Sequence, residues 1–158
     1  ALPISSMRFD LVVNTMVASA FENGRIVVTG DGRQYRPFVH VGDVAKAVAQ
    51  LLGTPAAAVD GEIFNISLAN FQITDVARHV LKGIDRPVEL VVDDSAIDHR
   101  NYRVTNDKAE RHFGYRASTT IIEGAKTIFE ALKNGVVVRS PSSIRLDGYR
   151  TMVASIAM

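Results

Sequence analysis

The stretch Arg33-Gln34-Tyr35-Arg36-Pro37-Phe38-Val39-His40-Val41-Gly42-Asp43-Val44-Ala45 constrains this chain most. Just before it, Gly30-Asp31-Gly32 reads as a turn, because two glycines flank an Asp. Tyr35 to Val41 is rich in aromatic and β-branched residues and reads as a strand. Pro37 lacks an N–H, which favours an edge or a strand start, and it biases Arg36 towards an extended backbone. Asp43 fits an N-cap, and Val44, Val48, Leu51 and Leu52 make a helical stripe after it. The unit is turn, strand, tight bend, helix. Arg36 is a planar, permanently charged fork near a glycine turn, a geometry suited to phosphate or carboxylate. On chemistry alone, an exposed Arg in a surface ion pair is the commoner reading.

The rest of the chain alternates in the same way. Residues 9–23 read as a helix, with Phe9, Val13, Met16, Val17 and Ala20 at helical spacing and Gly24 as its stop. Asp10 and Asn14 then lie one turn apart near its start, able to reach one ligand together. The alternative is a solvated first turn, with Asp10 favoured by the helix dipole. Ile26 to Thr29 is a short strand, and Glu62 to Ser67 reads as a largely buried one, with Asn65 as a core amide. Thr74 caps a helix striped by Val76, Ala77, Val80 and Leu81. Val88 to Val92 is a strand, Asp93 to Asn101 a polar loop, and Tyr102 to Val104 a short extended piece. Asn106 caps a short helix that ends at Gly114. Thr120 and Glu123 spell a capping box before a helix that stops at Asn134-Gly135. Residues 1–135 form one α/β domain on this reading, and 136–158 an irregular or docking tail. The apolar end of that tail, Met152 to Met158, either docks on an exposed core or stays disordered.

Composition narrows the function classes. A chain of 158 residues with 47% hydrophobic content suits one domain with a real core. A net charge of +1 gives no electrostatic case for nucleic acid or an anionic membrane. Zero cysteines exclude disulfides and thiolate metal sites and agree with a cytoplasmic location. No apolar run is long enough to span a bilayer, and the first residues have no signal-peptide pattern. His40, His79, His99 and His112 are scattered without metal-ligand spacing, and His40 reads as structural. Asp93-Asp94 is a carboxylate pair that a loop usually leaves solvated.

Arg-Pro-Phe-Val-His-Val-Gly-Asp-Val-Ala resembles the Arg-x-x-x-His-Val-x-Asp-x-Ala segment of extended short-chain dehydrogenase/reductases, the NAD-dependent nucleotide-sugar epimerases and dehydratases. The surroundings agree in order. Arg8-Phe9-Asp10-Leu11-Val12-Val13-Asn14 precedes it, Gly61 to Ile66 follows, and Asp98-His99-Arg100-Asn101-Tyr102-Arg103-Val104 comes later. All are similar to the C-terminal, substrate-binding half of that fold, over roughly Arg8 to Gly135. The resemblance implies an α/β portion lacking most of the Rossmann half. It also implies that Arg36 and Arg100 clamp a nucleotide-sugar diphosphate, and that Asp98 contacts the ribose. In many relatives an Asn stands near the Asp10 position, close to Asn14, and contacts the diphosphate. Asp there would repel phosphate unless an Arg lies close.

The same resemblance says which chemistry to look for. Hydride transfer to NAD needs a glycine-rich βα turn for the cofactor pyrophosphate. It also needs a Tyr with a Lys four residues later, which lowers the phenol pKa. No Gly-x-Gly-x-x-Gly or Gly-x-x-Gly-x-x-Gly occurs. Four residues after Tyr35, Tyr102, Tyr115 and Tyr149 stand Val39, Asn106, Thr119 and Val153. The expectation is a nucleotide-sugar-binding portion with NAD only in the parent enzyme, no catalytic residue, no metal site and no turnover alone. A stand-alone binding or scaffold module, or an inert fragment, are the rivals. Its partners would be a nucleotide-diphosphate sugar and either the Rossmann half or a second copy.

Overall fold

The computed structural model describes residues 7–93, 95, 100–140 and 143–144. In chain order the elements are helix α1 (Val12–Asn23), strand β1 (Arg25–Thr29), strand β2 (Tyr35–Phe38), helix α2 (Val41–Leu52), strand β3 (Ala69–Gln72), helix α3 (Ile73–Gly83), strand β4 (Glu89–Asp93), helix α4 (Asp107–Phe113) and helix α5 (Ile121–Lys133). β1 and β4 pair in parallel, from Arg25 opposite Glu89 to Thr29 opposite Asp93. β2 and β3 pair antiparallel, with Arg36 opposite Phe71.

The main core lies between α1, α3, α5 and the inner face of β1. Val17, Ile26, Val28, Val76, Val80 and Ala125 are fully enclosed in it. Phe129 of α5 meets Phe21 of α1 edge to face, with ring centroids 5.7 Å apart. α3 and α5 approach closely because Gly83 has no side chain. A Cβ there would stand 2.5 Å from the carbonyl oxygen of Ile122. Thr120 starts α5 with a complete capping box, as its sequence predicts: its hydroxyl accepts from the Glu123 N–H, and the Glu123 carboxylate accepts from the Thr120 N–H.

Several boundaries differ from the sequence reading, each for a local reason. α1 begins at Val12 rather than residue 9. The Asn14 amide donates to the carbonyl of Arg8 at 2.8 Å, and the Thr15 hydroxyl donates to that of Phe9 at 2.6 Å. Side chains thus take the carbonyls that another helical turn would use. α2 begins at Val41, and its N-cap is His40, whose Nδ1 accepts from the Gly42 N–H at 3.1 Å. Asp43 therefore sits inside the first turn and points into the protein. α3 begins at Ile73 after Gln72, so Thr74 is not its cap; the Thr74 hydroxyl donates instead to the Gly32 carbonyl.

Residues 62–67 form no regular element and pair with no strand among the described residues, and Ile63 is 84% exposed. β3, which the sequence reading did not contain, takes the place beside β2.

The chain after α5 turns back along α1. Val137 enters the main core, Arg139 pairs with Glu22 at 3.0 Å, and the Phe9 N–H donates to the Ser143 carbonyl. Met152 to Met158 lie outside the described residues.

Candidate functional site

Two cavities flank the segment that leads into α1. The first, about 230 Å³, opens between α1 and β1. Asp10, Thr15, Thr29 and Gln34 give it polar groups, and Val27 and Met16 an apolar floor. The second, about 250 Å³, lies between the starts of α1, α2 and α5 and is mainly apolar, with Phe38, Leu68 and Ile128 beside Asn14 and His40. Asp10 and Asn14 thus line different cavities. The expected pairing at i, i+4 does not form, because Asp10 precedes the helix.

Arg8 lies against Asp10 with a two-point contact, 2.9 Å from Nε and 2.8 Å from Nη2 to the two carboxylate oxygens. The charge that would repel phosphate at this position is therefore matched.

Thr29 and Gln34, on the two sides of the glycine turn, line the first cavity. Gly32 has φ of 67°, and a Cβ there would fall 2.4 Å from the Thr74 methyl group, so conformation and space both call for glycine. From this turn Gln34 reaches the cavity, and Arg36 follows in β2. Arg36 is not an exposed fork. It is only 9% exposed, donates to the Tyr35 carbonyl at 2.8 Å, and has its guanidinium carbon 5.2 Å from the centre of the Tyr102 ring.

Arg100 is exposed at the beginning of the segment that carries Tyr102. That segment is stitched to β2 and β3 by amides: Tyr35 N–H to Asn101 Oδ1 at 3.0 Å, and Asn70 to both the N–H and the carbonyl of Val104. Asp98 and His99 lie outside the described residues. The sequence reading passed over Tyr102, Gln34 and Thr29, though the short Gly30-Asp31-Gly32 turn could have directed attention to its two flanks.

Asp43 is fully buried at the edge of this region. Burial alone would raise its carboxyl. The N–H groups of Thr119 and Ser118, the Lys46 ammonium and the Ser118 hydroxyl outweigh that and hold it far below the usual carboxylate range. Its bonds run 2.9 Å to Thr119 N, 3.2 Å to Ser118 N and 3.0 Å to Ser118 Oγ. Asp43 thereby fixes the loop before α5 against the first turn of α2, on two walls of the second cavity. The Glu123 carboxyl is also held low, by the Thr120 N–H and hydroxyl.

Among the described residues these groups offer guanidinium, amide and hydroxyl contacts, and no acid–base pair stands on a nucleophile. Among the described residues, no group of three His, Asp or Glu could hold a metal ion. None of their helices is long and apolar enough to cross a membrane. Among the described residues, β1 runs through the glycine turn into β2 rather than into a helix.

The sequence model of the NAD dependent epimerase/dehydratase family matches residues 7–67. No curated protein matches the chain. Solved structures share its fold. The UDP-glucuronic acid 4-epimerase of Bacillus cereus, in complex with UDP-glucuronic acid and NAD, superposes with a TM-score of 0.68 at 19% identity, over 80% of this chain and 41% of its own. An NAD-dependent NDP-hexosamine 5,6-dehydratase involved in tunicamycin biosynthesis gives 0.66 at 22% identity, over 80% and 41%. The L-threonine dehydrogenase of Phytophthora infestans gives 0.64 at 11% identity, over 77% and 41%. The chain thus spans about two fifths of the length of these structures. The resemblance read from the sequence holds: residues 7–67 carry the family's pattern, and the chain has the α/β fold of part of its members.

Proposed function

We propose, on the premise that this chain is a portion of the NAD-dependent epimerase/dehydratase fold, that it binds the nucleotide-diphosphate sugar and performs no turnover alone. The observation that carries the reading is the cavity between α1 and β1, with Gln34 in its wall and Arg36 two residues further on. A slot of about 230 Å³ with an apolar floor and hydroxyl and amide edges suits a nucleobase and ribose. Arg36 and Arg100 supply guanidinium groups for the diphosphate. Arg8 on Asp10 removes the charge conflict on the opposite wall. Asp98 is the ribose contact in this scheme, and Asn14 fixes the entry to α1 through the Arg8 carbonyl.

The absence of turnover follows from residues this sequence does not contain: a glycine fingerprint and a Tyr with Lys four positions later. NAD belongs to the cofactor-binding part of such an enzyme. The surface that meets that part is α2 with the segment 62–66. Val41, Val48 and Leu52 are 76%, 50% and 85% exposed, and Ile63 matches them. A segment without a ladder beside an apolar helix face is what a sheet from another part of the fold would cover.

A thermal-shift screen of nucleoside-diphosphate sugars, followed by calorimetry, tests the reading. Stabilisation by at least one nucleotide sugar, weakened by Arg36→Ala and Arg100→Ala, is expected. Each charged contact is worth roughly 1.5–3 kcal/mol. No shift with any nucleotide sugar means an inert module, and the same affinity in both variants means the clamp lies elsewhere.

A further inference from the structure

Two Tyr-Arg dipeptides face each other across the edge of β2. One is Tyr35-Arg36, in the strand; the other is Tyr102-Arg103, in the segment that arrives from the polar loop. Each arginine lies on the other pair's ring. Arg36 is 5.2 Å from the centre of Tyr102, and Arg103 is 3.6 Å from the centre of Tyr35. The Tyr35 carbonyl joins the two halves, accepting the Tyr102 N–H at 3.3 Å and Arg36 Nη1 at 2.8 Å. Asn101 closes the ring through the Tyr35 N–H. The exchange is reciprocal: neither dipeptide can leave without uncovering the other's guanidinium.

We infer that this crossed clasp is a positioning device, with Tyr102 the residue that orients the Arg36 guanidinium for a diphosphate. The inference rests on the nucleotide-sugar reading and adds residues to it. An arginine side chain has many rotamers, and freezing them on binding weakens affinity. Arg36 is frozen beforehand, with one face against an aromatic ring and one nitrogen on a carbonyl. A cation over a ring face stays fully charged, because the ring quadrupole takes no proton and offers no counter-charge. The Tyr102 ring thus adds order to Arg36 without itself bringing a counter-charge. Tyr102 is 52% exposed, so a ligand can approach the ring side of Arg36 from solvent. The clasp also ties Arg100, two residues before Tyr102, to the strand that carries Arg36.

The test is calorimetric titration of the full chain with UDP and with inorganic pyrophosphate, for wild type, Tyr102→Phe, Tyr102→Leu, Arg36→Ala and the double variant Tyr102→Leu/Arg36→Ala. Tyr102→Phe keeps the ring and should bind both probes within about twofold of wild type. Tyr102→Leu should lose roughly five- to tenfold, the range of a cation–π contact at a partly covered site. In the Arg36→Ala background the same change should cost nothing, since the ring acts through Arg36; a general loss of structure would persist there. Melting temperatures and the Arg36 Nε–H resonance complete the set: one sharp signal in wild type and Tyr102→Phe, broadened in Tyr102→Leu. Equal binding by wild type and Tyr102→Leu overturns the clasp and leaves the nucleotide-sugar reading standing. So does a Tyr102→Leu loss that persists without Arg36. No binding of either probe by wild type overturns the nucleotide-sugar reading, and the clasp with it.

Discussion

Two regions of this molecule are held together by different forces. Around α1, α3, α5 and β1 the contacts are apolar and continuous, from Val17 and Val28 to Phe129. Around α2, α4 and the loop before α5 the buried apolar set among the described residues is Ala47, Ala109 and Tyr115, with Phe64 and Phe113 partly covered against it. Polar groups complete that second region. Asp43 holds Ser118 and Thr119; Asn106 bonds the N–H, hydroxyl and carbonyl of Ser67; and the Tyr115 hydroxyl donates to the same carbonyl at 3.3 Å. Burial, with the charge of Asp43 nearby, raises the Tyr115 phenol, so it stays a donor at neutral pH. Apolar packing tolerates small shifts, whereas buried hydrogen bonds fix direction. The second region contributes less area and more geometry, and it sets two walls of the cavity beside His40.

The largest expected effect belongs to the first region. Phe129→Ala removes a ring that is 5% exposed and should destabilise the chain by about 3–5 kcal/mol in urea unfolding. In the second region Asp43→Ala should cost about 3 kcal/mol despite removing little apolar area, because it strands Thr119 N–H, Ser118 N–H and the Ser118 hydroxyl. A loss below about 1 kcal/mol would erase the distinction between the regions.

Acid sharpens the same contrast. The Asp43 carboxyl is held low in the folded state, so its contribution is complete above the unfolded value of about 3.9 and is lost as pH falls towards the folded value. The stability gap between wild type and Asp43→Asn should be full at pH 7 and narrow steadily below about pH 4, whereas the gap for Phe129→Ala should hardly change. Smallest of the set, Thr120→Ala should cost about 1 kcal/mol through its cap.

The sequence exposed the parts whose signals are local. The capping box at Thr120, the stripe of α3 and the strands β1 and β4 are legible because neighbours in sequence decide them. The start of α1 is not, since Asn14 and Thr15 are unremarkable helix residues until they take the Arg8 and Phe9 carbonyls. Asp43 reads as a cap because caps and buried acceptors use the same residue types; only the arrival of Ser118 and Thr119 from far along the chain separates the two. Residues 62–67 have a strand's composition but no ladder among the described residues. At the site, Arg36 was visible through its motif. Tyr102 was not, because nothing in the spacing of two Tyr-Arg pairs 67 residues apart announces that they cross.

The most direct test asks which of the two cavities a nucleotide sugar enters. Titrating the isotopically labelled chain with UDP-glucuronic acid and following backbone amide shifts separates them, since Asp10, Thr29 and Gln34 line one cavity and Asn14, His40 and Thr127 the other. Saturable shifts centred on Asp10, Thr29, Gln34 and Arg36, reduced in Arg36→Ala, are the predicted result. Shifts centred on His40 and Thr127, or none at concentrations that saturate binding by calorimetry, would contradict the account.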